Sequence, residues 1–173
     1  SGYSRGIDFF YRDNKSLKNT DFWITYSLID CKRNYLNFQN RVTPNFAPRH
    51  NVSLVTKHFV NKLNSQIGAS FSWHDGQTYH DPNLPGEMQG KTPDFSNLSF
   101  SWSYLPQPNL IIHFECTNVL GRDNIFGYRF AEKRNENEIF ESLPIRQTAD
   151  RFIFLGVFLT LSKDKNANQL NNL

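Results

Sequence analysis

Two kinds of residue in this chain have side chains suited to chemistry. The first is a pair of His-Asp steps, His74-Asp75 and His80-Asp81, with Trp73 and Tyr79 beside them. Imidazole and carboxylate oxygens suit a transition metal, but this spacing matches no established ligand motif. His and Asp in a long loop also serve as solvated turn formers. The expectation is therefore no metal and no cofactor. Trp73, His74, Asp75, Tyr79 and His80 remain as candidates for contacting a bound solute. The second kind is His113 and Glu115, two residues apart on one predicted strand, a spacing that would serve a general acid and base. No Ser-His-Asp or Cys-His order with a glycine elbow accompanies them, so the sequence predicts no enzyme.

The elements that must position these residues are strands. Asn97 to Tyr104 alternates large apolar and small polar residues without a break. Strand side chains point to opposite faces with period two. One face therefore carries Leu98, Phe100, Trp102 and Tyr104, and the other Asn97, Ser99, Ser101 and Ser103. A small, nearly uncharged polar face opposite a large apolar one suits lipid outside and a packed, wet lumen inside. The pattern recurs in Leu110, Ile112, Phe114 and Cys116 against Ile111, His113, Glu115 and Thr117. It recurs again in Ile67, Ala69, Phe71 and Trp73 against Gln66, Gly68, Ser70 and Ser72. Leu98, Phe100, Trp102, Tyr104, Leu110, Ile112 and Phe114 are read as lipid-facing. Asp8, Lys57, Ser99, Ser101, Ser103, His113 and Glu115 are read as lumen-facing, because a charge held in mid-bilayer costs ~2–4 kcal/mol for Arg or Lys. Trp102 and Tyr104 belong in the aromatic girdle at headgroup level.

About seven long strands are predicted, at Tyr3–Arg12, Asp21–Asp30, His50–Phe59, Asn64–His74, Phe95–Leu105, Asn109–Asn118 and Arg151–Leu161. Most approach the ~9–11 residues a tilted strand needs to cross hydrocarbon. The links between them alternate short and long. Links 13–20, 60–63 and 106–108 are short, whereas 31–49, 75–94 and 120–150 are long, and a short strand pair is expected near Ile125 to Phe130. Outer-membrane barrels have short periplasmic turns and long external loops. On this reading the chain starts outside, residue 161 ends inside, and Ser162 to Leu173 forms a polar periplasmic tail.

Composition agrees without deciding. Aromatic residues make up 15% of 173, with 16 Phe, yet mean hydropathy is −0.58. No run approaches the ~20 apolar residues of a membrane helix. A soluble glycan-binding β-sandwich fits these numbers too, and stands as the alternative. A small autonomous barrel enzyme would need an eighth strand and a catalytic constellation. The net charge of +3 comes from dispersed cations, so no nucleic-acid partner is expected. Lys32, Arg33, Arg41 and Arg49 fall in one outer loop, read as solvated, with anionic lipopolysaccharide as the other reading. Cys31 and Cys116 stand far apart with no CxxC pair, leaving a disulfide and two free thiols equally open. No signal peptide opens the chain, and the odd strand count leaves an unpaired edge at each end. It is read as a mature fragment or an excised piece.

Several segments resemble the late barrel of TonB-dependent outer-membrane receptors. These are Gly2-Tyr3-Ser4-Arg5-Gly6-Ile7-Asp8-Phe9-Phe10, Trp23-Ile24-Thr25-Tyr26-Ser27, and Pro44-Asn45-Phe46-Ala47-Pro48-Arg49-His50. Asp75-Gly76-Gln77-Thr78-Tyr79 is similar to that family's G-x-x-Y loop opening, and Thr92-Pro93-Asp94-Phe95 leads into a strand. The close is similar as well: Thr117-Asn118-Val119-Leu120-Gly121-Arg122-Asp123, then a loop, then Arg151-Phe152-Ile153-Phe154-Leu155-Gly156. The resemblance implies a Gram-negative outer-membrane barrel of about 22 strands with a plugged lumen. It would import a scarce nutrient of the siderophore, cobalamin or oligosaccharide class. This chain would supply roughly the last third of the wall. Its partners would be outer-membrane lipid, the remaining strands and plug, and, through an N-terminal part absent here, the TonB complex. One departure is Leu161, which stands where such chains often carry a terminal aromatic.

Overall fold

The computed structural model describes residues 1–34 and 38–161; the predicted tail 162–173 lies outside them. The chain is all-β, and its main body is one antiparallel sheet. In sheet order its strands are β1 (Gly2–Asp13), β2 (Thr20–Arg33), β3 (His50–Val60), β4 (Ser65–His74), β7 (Phe95–Gln107), β8 (Leu110–Thr117) and β11 (Phe152–Leu159). Two small hairpins stand apart from it: β5 (Thr78–Tyr79) with β6 (Gly90–Lys91), and β9 (Ile125–Phe130) with β10 (Ser142–Arg146). Every pairing is antiparallel between neighbours in the chain, once the hairpins are set aside.

The short links close with asparagine. Asn19 and Asn64 adopt left-handed backbone angles, φ 57° and 43°, a conformation asparagine tolerates better than other side chains. Each then locks the next strand pair: the Asn19 carbonyl accepts from Phe59 N–H and the Asn64 carbonyl from Leu105 N–H, both at 2.8 Å. A 3-10 turn, Asn61–Leu63, joins β3 to β4.

The register aligns one apolar face across all seven strands. Trp102 pairs with Ile67 and Phe114, Phe100 with Ala69 and Cys116, and Leu54 with Ile24 and Phe71. Tyr11 sits beside Ile24, Phe9 beside Tyr26, Leu155 beside Phe114. The opposite face carries Asp8, Ser27, Lys57, Gly68, Ser99, Ser101, Ser103, His113 and Glu115 on the same ladders.

Burial is inverted relative to a water-soluble sheet. Phe100 and Trp102 are each 38% exposed, while Ser103 retains 5%. Among the described residues the buried apolar side chains are Val42, Met88, Leu105 and Ile111, and the first two lie in loops. The apolar face also has polar limits. On β1 it runs from Arg5 to Asp13, and on β3 from His50 to His58. Eight residues at ~3.4 Å each span about 27 Å, or about 20 Å when tilted by ~40°. At the two borders His50 Nδ1 lies 2.9 Å from the Tyr26 hydroxyl and His58 Nδ1 2.8 Å from Thr20 Oγ1.

Candidate functional site

Two regions gather polar groups: the small-residue face, and a cap formed by the three long connections. On the face, one ladder row reads Asp21, Lys57, Gly68, Ser101, Glu115, Phe154 across six strands. Strands lie ~4.8 Å apart, so Lys57 and Glu115 stand about 14 Å from each other. Between them Gly68 and Ser101 leave a trough of about 150 Å3, also lined by Ser70 and Ser99. A Cβ at position 68 would come within 2.5 Å of Ser101 Oγ, so any larger residue there would have to turn that hydroxyl aside and would narrow the trough.

The adjacent row holds a chemically suggestive line. Ser103 Oγ lies 2.8 Å from His113 Nδ1, and His113 Nε2 lies 3.7 Å from Glu115 Oε2. The order is nucleophile, base, carboxylate. Ser103 is buried, and the 3.7 Å gap exceeds a hydrogen bond. The arrangement serves to tie β7 to β8.

The cap is where the chain packs like a water-soluble protein. Pro44 and Asn124 are its largest fully buried residues, and Val42, Met88 and Thr92 are buried in the long connections as well. Asn124, 2% exposed, accepts the Ser96 N–H on Oδ1 and donates Nδ2 to the Ser96 carbonyl, at 3.2 and 2.9 Å. Asn118, at φ 49°, receives the Arg122 N–H and donates to the carbonyls of Arg122 and Asp150. The loops also hold one another. Glu87 accepts from the N–H groups of Gln39 and Asn40, and Asn83 makes a reciprocal pair with the Phe140 backbone. Thr78 Oγ1 donates to the Thr43 carbonyl. The two backbone N–H bonds, chiefly that from Asn40, keep the Glu87 carboxyl below its ordinary range.

The predicted solute-contacting residues fall into three environments. Trp73 and His74 end strand β4, where the predicted strand Asn64–His74 also ends, and strand alternation sends them to opposite faces. Trp73 joins the apolar face through its neighbours Val52 and Ser96. His74 stacks on Phe95, ring centroids 4.8 Å apart. Asp75 is half-walled by a cleft of about 390 Å3 that Cys31, Thr43, Arg49, Thr78 and Lys91 also line. Its Oδ1 accepts the His50 N–H at 2.9 Å and its Oδ2 the Lys91 ammonium at 2.8 Å. Burial pushes this carboxyl up, but those bonds outweigh it and leave the group below its ordinary range. Tyr79 lies over Gly90 and against Tyr128, centroids 4.8 Å apart. Burial there raises its phenol, with Tyr128 and Asp81 adding to the effect. His80 tilts against Phe38. Asp75 alone of the five lines the cleft. Among the described residues no three His, Cys, Asp or Glu side chains group to hold a metal.

The sequence reading missed the roles of Asn83, Asn118 and Asn124, which depend on loops meeting at long range; Asn83, within Asp81-Pro82-Asn83-Leu84-Pro85-Gly86, and Asn118, three residues before Gly121, carried local turn signals but no sign of their partners. The two cysteines are free. Cys31 lies on β2 and Cys116 on β8, four strands apart and about 19 Å distant, beyond disulfide reach. No protein-family model matches the chain, and no curated protein matches it significantly.

Proposed function

We propose that this chain forms part of the wall of an outer-membrane β-barrel of the TonB-dependent receptor kind, and that it acts in nutrient import without catalysing a reaction. The observation that carries this reading is the inverted sheet. Its aromatic face is open between polar borders about 20 Å apart across the membrane, and its serine face is the more covered. Hydrocarbon removes the penalty that water would impose on Phe100, Trp102 and Leu155. The five inner strands are laddered on both sides, as a bilayer demands, and the outer edges of β1 and β11 are where further strands of the barrel would pair. The small-residue face would line the lumen, with the Lys57–Glu115 trough toward the plug, and the packed cap would shape the outer mouth. The Asp75–Lys91 cleft, with its threonine hydroxyls, suits a polar solute there. Partners on this reading are outer-membrane lipid, further strands and a plug, and the TonB complex reached through the plug segment.

A glycan-binding sandwich needs a second sheet packed ~10 Å over the first. Among the described residues the other sheets are two-stranded hairpins in the cap.

The test is thiol labelling of the full-length polypeptide in intact membranes. Cys116 lies on the apolar face beside Phe100 and Ile153, and Cys31 lines the outer cleft. A charged maleimide should modify Cys31 and spare Cys116, whereas a membrane-permeant one should reach both. Recovery of the protein from the soluble fraction, with Cys116 open to the charged reagent, would refute the reading.

A further inference from the structure

We propose that the cleft beside Asp75 and Lys91 binds an extended peptide ending in a carboxylate; this deepens the solute-cleft part of the reading above and rests on it. The carrying observation is a window in the hydrogen-bond ladder on the β3 side of β2. At one end the Ile29 N–H donates to the Arg49 carbonyl at 2.8 Å. At the other end Arg33 and Val42 exchange both backbone bonds, at 3.0 and 3.1 Å. Hydrogen-bonding direction alternates along an antiparallel strand, so the N–H and C=O of Cys31, midway between, point to that same side. Among the described residues no group pairs with them. The gap has a local cause. Continuing the β2–β3 register beyond Leu28 and His50 would set Ala47 opposite Cys31. Ala47 instead turns its N–H to the Pro44 carbonyl at 3.2 Å, closing a turn over Pro44-Asn45-Phe46-Ala47.

The window fixes both chemistry and direction. A ligand opposite Cys31 must present one N–H and one C=O along a single edge, as one residue of an extended peptide does. Running antiparallel to β2, as β3 does, that peptide heads from Val42 toward Arg49 and ends there. Arg49 is exposed, and among the described residues its guanidinium has no partner. Lys91 gives one proton to Asp75 and keeps two. The cleft lining carries Lys32, Arg49 and Lys91 against Asp30 and Asp75, three cations to two carboxylates, a net +1. Two backbone bonds at fixed spacing with a guanidinium at the downstream end select a peptide acid over a neutral oligosaccharide.

The experiment uses the full-length polypeptide in intact membranes, with acetyl-trialanine as the probe. The readout is the rate at which a charged maleimide modifies Cys31, which lines the cleft, followed by mass spectrometry of the fragment carrying it. Saturating peptide should slow that labelling. The C-terminal carboxamide should bind roughly tenfold more weakly, for the loss of a charge-assisted hydrogen bond. Methylating the central amide nitrogen removes the donor to the Cys31 carbonyl and should weaken binding about fivefold, the worth of one neutral hydrogen bond. Arg49→Gln should weaken the acid roughly tenfold and leave the carboxamide unchanged. Arg41→Gln, a loop cation hydrogen-bonded to Ser1 outside the cleft, should change neither. Equal protection by the N-methylated peptide or by maltotriose overturns the proposal. So does a membrane-bound protein that the acid fails to protect, an outcome that leaves the wall reading standing. Protection retained in a protein recovered from the soluble fraction would uphold the peptide site and refute the wall, so the two failures are distinguishable.

Discussion

Phe100 and Ser101 are neighbours on β7 that face opposite ways, and exchanging each for arginine separates lipid from water as the medium on either side. Phe100 stands midway between Ser96 and Tyr104 on the exposed aromatic row, about 14 Å of strand from either. An arginine at mid-depth on a lipid-facing position costs ~2–4 kcal/mol, a factor of about 30 to 700 in the folded-to-unfolded ratio. At Trp102, nearer the inner border, the same charge should cost less because the side chain can reach the headgroups. Ser101→Arg lies on the other face, directly opposite Glu115. A cross-strand pair of opposite charge is worth ~0.2–1 kcal/mol, which offsets the crowding against Gly68. The assay is urea unfolding of the full-length polypeptide in lipid vesicles, followed by tryptophan fluorescence. Phe100→Arg should be the damaging change, Trp102→Arg intermediate and Ser101→Arg mild. A Phe100→Arg variant within ~0.5 kcal/mol of the parent, as for an ordinary wet surface site, would refute the assignment of faces.

The cap yields three further predictions. Asn124→Ala strips two hydrogen bonds from the buried Ser96 backbone and should destabilise by ~2–3 kcal/mol, read by loss of protease resistance in the 118–151 connection. Gly76→Ala would drive a Cβ into the Thr92 carbonyl oxygen; overpacking against backbone should cost ~2–3 kcal/mol or prevent folding, measured by yield of protease-resistant protein. Asp75→Asn removes charge-assisted bonds to His50 N–H and Lys91, a loss of ~1.5–3 kcal/mol at neutral pH. Because the folded carboxyl titrates below its unfolded value, the Asp75 contribution is complete above about pH 4 and disappears as pH falls through the lowered value. Parent and variant unfolding curves should therefore converge once the pH has fallen below that lowered value, and a gap that persists at the acid limit would show that packing, not charge, is lost.

The sheet was legible because its signal is local and repeated. Alternation in β7, β8 and β4 fixes which residues share a face, and the short links carry asparagines where a left-handed turn is needed. The strand pair near Ile125 was also visible from its apolar run, although its partner Ser142–Arg146, interrupted by Pro144, was not. The cap resisted reading for a physical reason. Its long-range bonds join residues 28 to 57 positions apart, from Asn124 with Ser96 to Asn83 with Phe140, and polar loop side chains carry no periodicity that announces a distant partner. Trp73 and His74 close the predicted strand Asn64–His74, and its parity puts them on opposite faces. Disulfide pairing became decidable only once β2 and β8 were placed four strands apart.

The margins of the sheet are unequal: β1 offers 12 residues and β11 only 8. Were the ribbon to roll up and zip these two rims together, about a third of the longer one would hang without a mate, and each stranded amide in hydrocarbon is worth several kcal/mol. β11 is also oily on both sides, Phe152, Phe154 and Phe158 backing Ile153, Leu155 and Val157, so its inward side asks for a dry companion that β1, with Asp8 and Arg12, does not supply. A self-closed seven-stranded tube is thus disfavoured twice over, by length and by chemistry.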